Sequence, residues 1–224
     1  MTSSIDPRHL LIVGAGPGLG ASIGRRFAQG GYHVTLLARS TDGLDKLAKG
    51  LADTGAVVDT VTADAGDLEG LRSTLSALYA RDGAPGVVVC SAALLAYDSL
   101  LDSDVAHLHQ AFDVDVVSAV VATQVAAPAM RAGGGGTIIF TGGGWADYPM
   151  REFSTLSVGK AALRSAASVL SADLADEGVR LATITIAGQI APGTPFDPDR
   201  IAETYWTIVE SDGSWQSEFR FERT

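Results

Sequence analysis

The chain has 224 residues, 46% of them hydrophobic and 19% charged, a composition that suits one soluble domain over 1–224 and excludes a disordered chain. Its formal charge of −10, from 26 acidic and 16 basic residues, is the wrong sign for collecting nucleic-acid phosphates, so no nucleic-acid partner is expected. The single cysteine, Cys90, cannot form an internal disulfide and no Cys/His cluster has zinc spacing, so the sequence reads as a metal-free protein of a reducing, cytoplasmic compartment.

Met1 to His9 is polar, and the apolar run Leu10 to Val13 is too short for a signal-peptide core, so it reads as a first strand. After a glycine cluster, Leu19, Ile23 and Phe27 recur at four-residue spacing and predict a helix with one apolar stripe. The unit then repeats: a strand over Val34 to Ala38, a helix bearing Leu44, Leu47 and Leu51, a strand over Val57 to Val61, and a helix bearing Leu68, Leu71, Leu75 and Leu78. Val87 to Cys90 is a fourth strand in which Cys90 is buried. A helix follows from about Asp104 to Met130; its apolar part, Val116 to Met130, falls short of the roughly 20 residues a membrane span needs, so no membrane partner is expected. Thr137 to Phe140 is a fifth strand after the turn Gly133 to Gly136, and a helix spans Ser157 to Asp176. Leu181 to Ile186 is a sixth strand, a Gly/Pro-rich loop runs from Ala187 to Pro195, and Ile201, Tyr205 and Ile208 mark a last helix. Glu218 to Glu222 alternates apolar and charged residues, as an edge strand does. The alternation of short β-branched runs with helical segments predicts an α/β fold, a doubly wound parallel sheet.

Gly14-Ala15-Gly16-Pro17-Gly18-Leu19-Gly20 follows the first strand and opens the first helix. In that position glycine lets the backbone approach an oxyanion, while free N–H groups and the positive end of the helix stabilise its charge. The spacing is not Gly-x-Gly-x-x-Gly, because Leu19 stands at its last position, and the Gly-Lys-Ser/Thr ending of a nucleoside-triphosphate loop is missing. The second strand ends in Arg39-Ser40 where an NAD site usually places an acidic residue. Arg39 can pair with a 2′-phosphate and Ser40 can hydrogen-bond it, so NADP is preferred to NAD.

With these residues the chain resembles the short-chain dehydrogenase/reductase family over nearly its whole length. The family turn is Thr-Gly-x-x-x-Gly-x-Gly, matched by Val13 to Gly20 with Val13 in place of threonine. The resemblance implies a Rossmann fold of strand order 3-2-1-4-5-6-7. It also implies that Asp64, with Ala65 beside it, contacts adenine, that Ser91 and Ala92 lie along the cofactor, and that Gly188 and Ile190 meet the nicotinamide end. Relatives pair through their fourth and fifth helices, so a homodimer or homotetramer is expected, with Ala161, Ala162, Ala166 and Ala167 available for close packing.

Catalysis in the family uses Ser, Tyr and Lys, with an Asn that holds a water in a proton relay. Lys160 aligns with the lysine that lowers the tyrosine's pKa and binds the nicotinamide ribose. The tyrosine position is Leu156, the serine position falls on Gly142 or Gly143, and the asparagine position is Asp115. Leucine has no exchangeable proton and glycine no side-chain hydrogen bond, so the resemblance is to an atypical member without the usual Ser and Tyr. The alternative proton sources are Tyr148, Ser157, a water held by Asp115, and the substrate itself; Ser154 and Asp147 lie nearby in the chain. His107 and His109, two residues apart on a helix, face different ways and are not a metal pair. Two functions stay open: an atypical NADP-dependent oxidoreductase moving hydride to or from a small carbonyl- or imine-type substrate, and a catalytically silent NADP(H)-binding protein with a sensory or structural role. The short loop after Gly188 implies a small or open substrate site.

Overall fold

Strands buried on both faces need apolar residues at successive positions, and Leu10 to Val13 and Val87 to Cys90 supply them. The computed structural model describes residues 5–211 and 215–223. In chain order the elements are β1 (Ile5–Val13), α1 (Leu19–Gln29), β2 (His33–Ala38), α2 (Thr41–Ala52), β3 (Val58–Thr62), α3 (Leu68–Asp82) and β4 (Ala84–Cys90). There follow α4 (Val105–Phe112), α5 (Ser118–Ala132), β5 (Gly136–Gly143), α6 (Ser154–Leu174), β6 (Val179–Ile186), α7 (Pro198–Glu210) and β7 (Glu218–Phe221). The sheet has seven strands in the order β3-β2-β1-β4-β5-β6-β7, and every pairing is parallel. The doubly wound Rossmann arrangement expected from the sequence is the one observed.

Successive side chains of a strand point to opposite faces, and the two halves of the core follow from that. Leu11 and Val13 of β1 join Leu71, Leu75, Ala122 and Leu163 beneath α3, α5 and α6. Leu10 and Ile12 join Ile23, Phe27, Leu44 and Tyr205 beneath α1, α2 and α7. Helix starts are marked by short polar side chains: Ser40 Oγ, Asp67 Oδ1 and Asp104 Oδ1 accept the N–H groups of Gly43, Gly70 and His107.

β1 starts at Ile5 and β4 at Ala84, earlier than the apolar runs, because Ile5 and Asp6 pair with Ala84 and Pro85. Three further elements differ from expectation. The helix expected over Asp104 to Met130 is broken by a five-residue π turn, Asp113–Val117, between α4 and α5. The composite, Val105–Ala132, has 28 residues and a mean hydropathy of 1.3 in its most apolar part, so by length and composition it could cross a bilayer. Within the fold 61% of that part is buried, which makes it the core helix the sequence suggested. β5 runs on to Gly143 instead of stopping at Phe140, because Thr141, Gly142 and Gly143 pair with Ile184, Thr185 and Ile186. A side chain on Gly142 would come within 2.7 Å of Thr183 Oγ1, so glycine permits this close approach. α6 starts at Ser154 and not Ser157, because Asp98, from the loop after β4, accepts the Thr155 N–H at 3.1 Å and caps the helix from outside.

Candidate functional site

Because all strands are parallel, the loops after β1, β2, β4, β5 and β6 gather at one edge of the sheet, where folds of this type bind ligands. Gly14 leaves β1 at φ +88°, and its N–H and that of Ala15 both donate to the Leu37 carbonyl at 2.9 Å. A Cβ on Gly14 would lie 2.3 Å from the Ala92 nitrogen, so the turn passes directly against the loop after β4. Gly16 and Gly18, by contrast, face open space, with no atom within 4 Å of a Cβ at either. Gly18 opens α1 without a side-chain cap, and among the described residues the N–H groups of Gly18, Leu19 and Gly20 have no protein acceptor. Unpaired amides at a helix N-terminus make an electropositive cradle for an oxyanion.

Around this cradle stand the other residues singled out from the sequence. Arg39 is exposed and, among the described residues, makes no ion pair or hydrogen bond. Ser40 caps α2 through its Oγ, and Asp64 Oδ1 accepts the Gly66 N–H at 2.8 Å beside the buried Ala65. The Ser91 N–H donates to the Val13 carbonyl at 2.8 Å, which fastens the loop after β4 to the end of β1. Gly188 backs onto the Phe196 ring, where a Cβ would come within 2.3 Å, and Ile190 is exposed on the loop after β6.

Lys160 is buried on α6, and its Nζ donates to the Thr141 carbonyl at 2.7 Å. Burial pulls its pKa down, and the charge of Asp115 opposes that pull. Asp115 projects from the π turn; its Oδ1 accepts the Leu94 N–H at 2.6 Å, while the buried Oδ2 has no partner among the described residues. The carboxyl packs on Gly159, where a Cβ would come within 3.0 Å of Oδ2. Burial pushes the carboxyl up to about 6, against the Leu94 N–H and the charge of Lys160. A carboxyl with a free oxygen, buried beside an amine, can hold and release a proton near neutral pH. Of the two glycines that end β5, Gly143 is the one on the Lys160 side: a Cβ there would make an ordinary 3.6 Å contact with Lys160 Cγ.

The remaining candidates are placed differently. Leu156 is buried, and Tyr148 is 80% exposed with no hydrogen bond from its hydroxyl among the described residues. Ser157 Oγ accepts the Met150 N–H at 3.0 Å and donates to the Phe153 carbonyl at 2.9 Å, which ties the preceding loop to the first turn of α6. Asp147 pairs with Arg220 at 2.7 Å and Arg164 at 2.5 Å, and these guanidinium groups hold its carboxyl below the usual range. Two supporting residues carried no motif. Asp98 receives His107 Nε2 at 2.9 Å, Ser154 Oγ at 3.1 Å and the Thr155 hydroxyl; burial works against its ionised form, but these donors hold it at about 2. Thr141 serves Lys160 through its carbonyl and accepts the Tyr205 hydroxyl at 2.9 Å through Oγ1. A cavity of about 860 Å³ lies elsewhere, between α7 and β7, and touches none of the cradle residues.

Residues 8–194 match the family model described as short chain dehydrogenase. Relatives include dehydrogenase/reductase SDR family member 4 of Pongo abelii, 25% identical over 214 residues that cover 95% of this chain and 74% of that protein. Sulfoacetaldehyde reductase 2 of Chromohalobacter salexigens is 28% identical over 206 residues, 91% of this chain and 76% of its own. Among solved structures, L-sorbose reductase of Gluconobacter frateurii, complexed with NADPH and L-sorbose, superposes with a TM-score of 0.89 at 21% identity, over 100% of this chain and 98% of that one. A glycine turn after β1, a buried lysine on α6 and a seven-stranded parallel sheet thus accompany a match over most of the sequence, and the chain belongs to the short-chain dehydrogenase family.

Proposed function

We propose that this chain is a cytoplasmic, NADP(H)-dependent oxidoreductase that transfers hydride to or from a small carbonyl- or imine-type substrate. The observation that carries the reading is the cradle: Gly16 and Gly18 face open space beside the unpaired amides of Gly18, Leu19 and Gly20, with Pro17 shaping the turn between them. A pyrophosphate fits that arrangement. The unpaired guanidinium of Arg39, next to Ser40, suits a 2′-phosphate and favours NADP over NAD. In this reading Asp64 and Ala65 meet adenine, Ser91 and Ala92 line the cofactor, Lys160 donates to ribose hydroxyls, and the backbone at Gly188 and Ile190 meets the carboxamide. When bound, a nicotinamide dinucleotide supplies or accepts the hydride.

On the protein side, Asp115 and Lys160 hold exchangeable protons inside the site, and Tyr148 offers a hydroxyl from the loop after β5. Ser157, engaged with Met150 and Phe153, is the poorest proton source of the four. Leu156 and Gly143 favour a second reading, a catalytically silent NADP(H)-binding subunit with a sensory or structural role, since neither side chain can donate a proton. Both readings require dinucleotide binding, but only the first requires NADPH oxidation with some member of a carbonyl and imine panel. Arg39→Ala is expected to weaken NADPH binding by roughly 10- to 100-fold in calorimetry while leaving NADH within about twofold. An equal loss for both dinucleotides would take Arg39 away from the 2′-phosphate. Pairing into a homodimer or homotetramer is proposed through the Val105–Ala132 helix and α6; Ala167 is buried in the core and takes no part, while Val105, Phe112 and Val158, with Leu100 from the loop before α4, are exposed around a groove of about 350 Å³. Sedimentation showing only monomer would remove that part.

A further inference from the structure

We propose that Trp145, Phe153 and Tyr97 form an aromatic shelf that selects planar, ring-bearing substrates, an inference that rests on the oxidoreductase reading and names its substrate class. The placement comes from topology. Tyr97 lies on the loop after β4, Trp145 and Phe153 on the segment between β5 and α6, and both segments leave the same edge of the sheet as the glycine cradle. The Trp145 and Phe153 rings stack with centroids 5.0 Å apart and 12° between planes, and Tyr97 meets Phe153 edge-on at 5.8 Å.

The shelf leads toward the buried amine. Leu156 and Lys160 stand at i and i+4 on one side of α6, and Phe153 is the residue that caps its start, about 10 Å before Lys160 along the helix axis. Leu156, in that interval, is apolar and buried. At the other end, the Gly143 backbone lies against the Lys160 stem, and Trp145 is two residues further on. Hydrogen bonds hold the two segments together: the Asp98 N–H donates to the Glu152 carbonyl at 3.0 Å, and the Asp98 carboxylate binds Ser154 and Thr155.

Trp145 and Phe153 are only half-buried and Tyr97 is 81% exposed, so the rings keep surface that their own stacking does not use. Leu95, Met150 and Ile190 are exposed from the loops of the same edge, which adds apolar surface where a soluble protein ordinarily places polar residues. Rings held in this way prefer a flat aromatic guest, which offers the offset-stacked and edge-to-face contacts that a puckered aliphatic ring of equal carbon number lacks.

The test compares acetophenone with cyclohexyl methyl ketone by calorimetry on the full chain saturated with NADP+, and again on the dinucleotide-free protein. Acetophenone is expected to bind about five- to tenfold more tightly. Trp145→Ala and Phe153→Ala are expected to erase that preference while leaving the NADP+ affinity and the melting temperature close to those of the unchanged protein. Trp145→Phe, which keeps a ring, is expected to retain most of it. Normal NADP+ binding with equal affinity for the two ketones, or a preference that survives both alanine variants, would overturn the shelf and leave the dinucleotide reading standing. Failure of NADP+ to bind would remove the dinucleotide reading, while the measurement without dinucleotide would still decide for or against the shelf.

Discussion

Gly14→Ala is expected to cost roughly 3–5 kcal/mol of folding stability, a large share of what a domain this size possesses. Two causes add. The residue sits at φ +88°, where a side chain is strained, and the new Cβ would lie 2.3 Å from backbone nitrogen at Ala92, which cannot swing aside as a flexible side chain can. Gly16→Ala is the contrasting case. Its Cβ meets nothing within 4 Å, so thermal unfolding should stay within about 2 °C of the unchanged protein. The added methyl nevertheless enters the open space of the turn, and NADPH affinity measured by calorimetry should fall at least about tenfold. A Gly16→Ala protein that binds NADPH as tightly as the unchanged one would mean that the turn is no pyrophosphate cradle. The pair separates two uses of glycine within one turn: Gly14 lets two loops touch, and Gly16 leaves room for something else.

The same distinction explains what the sequence disclosed. Local signals were legible because they act within a few residues: the glycine cluster between an apolar run and the Leu19, Ile23 and Phe27 stripe, and the alternating β7. What escaped depends on partners far away in the chain. The start of α6 is set by Asp98, 57 residues earlier than Thr155, and the last pairs of β5 exist because β6 runs alongside. Lys160 could be picked out by its surroundings in sequence, but its acceptor, the Thr141 carbonyl, is backbone and leaves no residue signature. The π turn escaped for a related reason. Asp113–Val117 has an ordinary helical pattern, and only the extra residue in its turn brings Asp115 to the Leu94 N–H and against Gly159. Tyr148 shows the opposite limit, since a sequence can nominate a hydroxyl without saying that its ring stands 80% in solvent.

Asp115 and His9 are expected to pull stability in opposite directions between pH 6 and 4, and removing either should expose the other. Asp115 moves from an ordinary 3.8 to about 6 in the fold, so over that interval the native state holds a proton that the unfolded chain has released. Stability contributed by this group therefore rises as pH falls from 6 to 3.8, by on the order of 3 kcal/mol. His9 is buried between Thr35, whose Oγ1 is 2.8 Å from Nε2, and the His33 ring stacked at 4.2 Å. Burial, then the neighbouring His33, brings it from 6.5 to about 4, so the unfolded chain takes up the proton first. Its contribution is lost as pH falls from 6.5 to 4, again by on the order of 3 kcal/mol. In the unchanged protein the two nearly cancel. Asp115→Asn removes the gain, so its unfolding free energy in urea should drop between pH 7 and 4 by about 3 kcal/mol more than that of the unchanged protein. His9→Phe, which keeps a ring against His33, should shift the curve the other way. Asp147 and Glu203, held low by arginine, and Asp199, held low by the Ser22 hydroxyl and then Arg25, are common to all three proteins and drop out of the differences. Parallel curves for Asp115→Asn and the unchanged protein would show an Asp115 that titrates like a surface carboxylate, and would end its part as the proton holder beside Lys160.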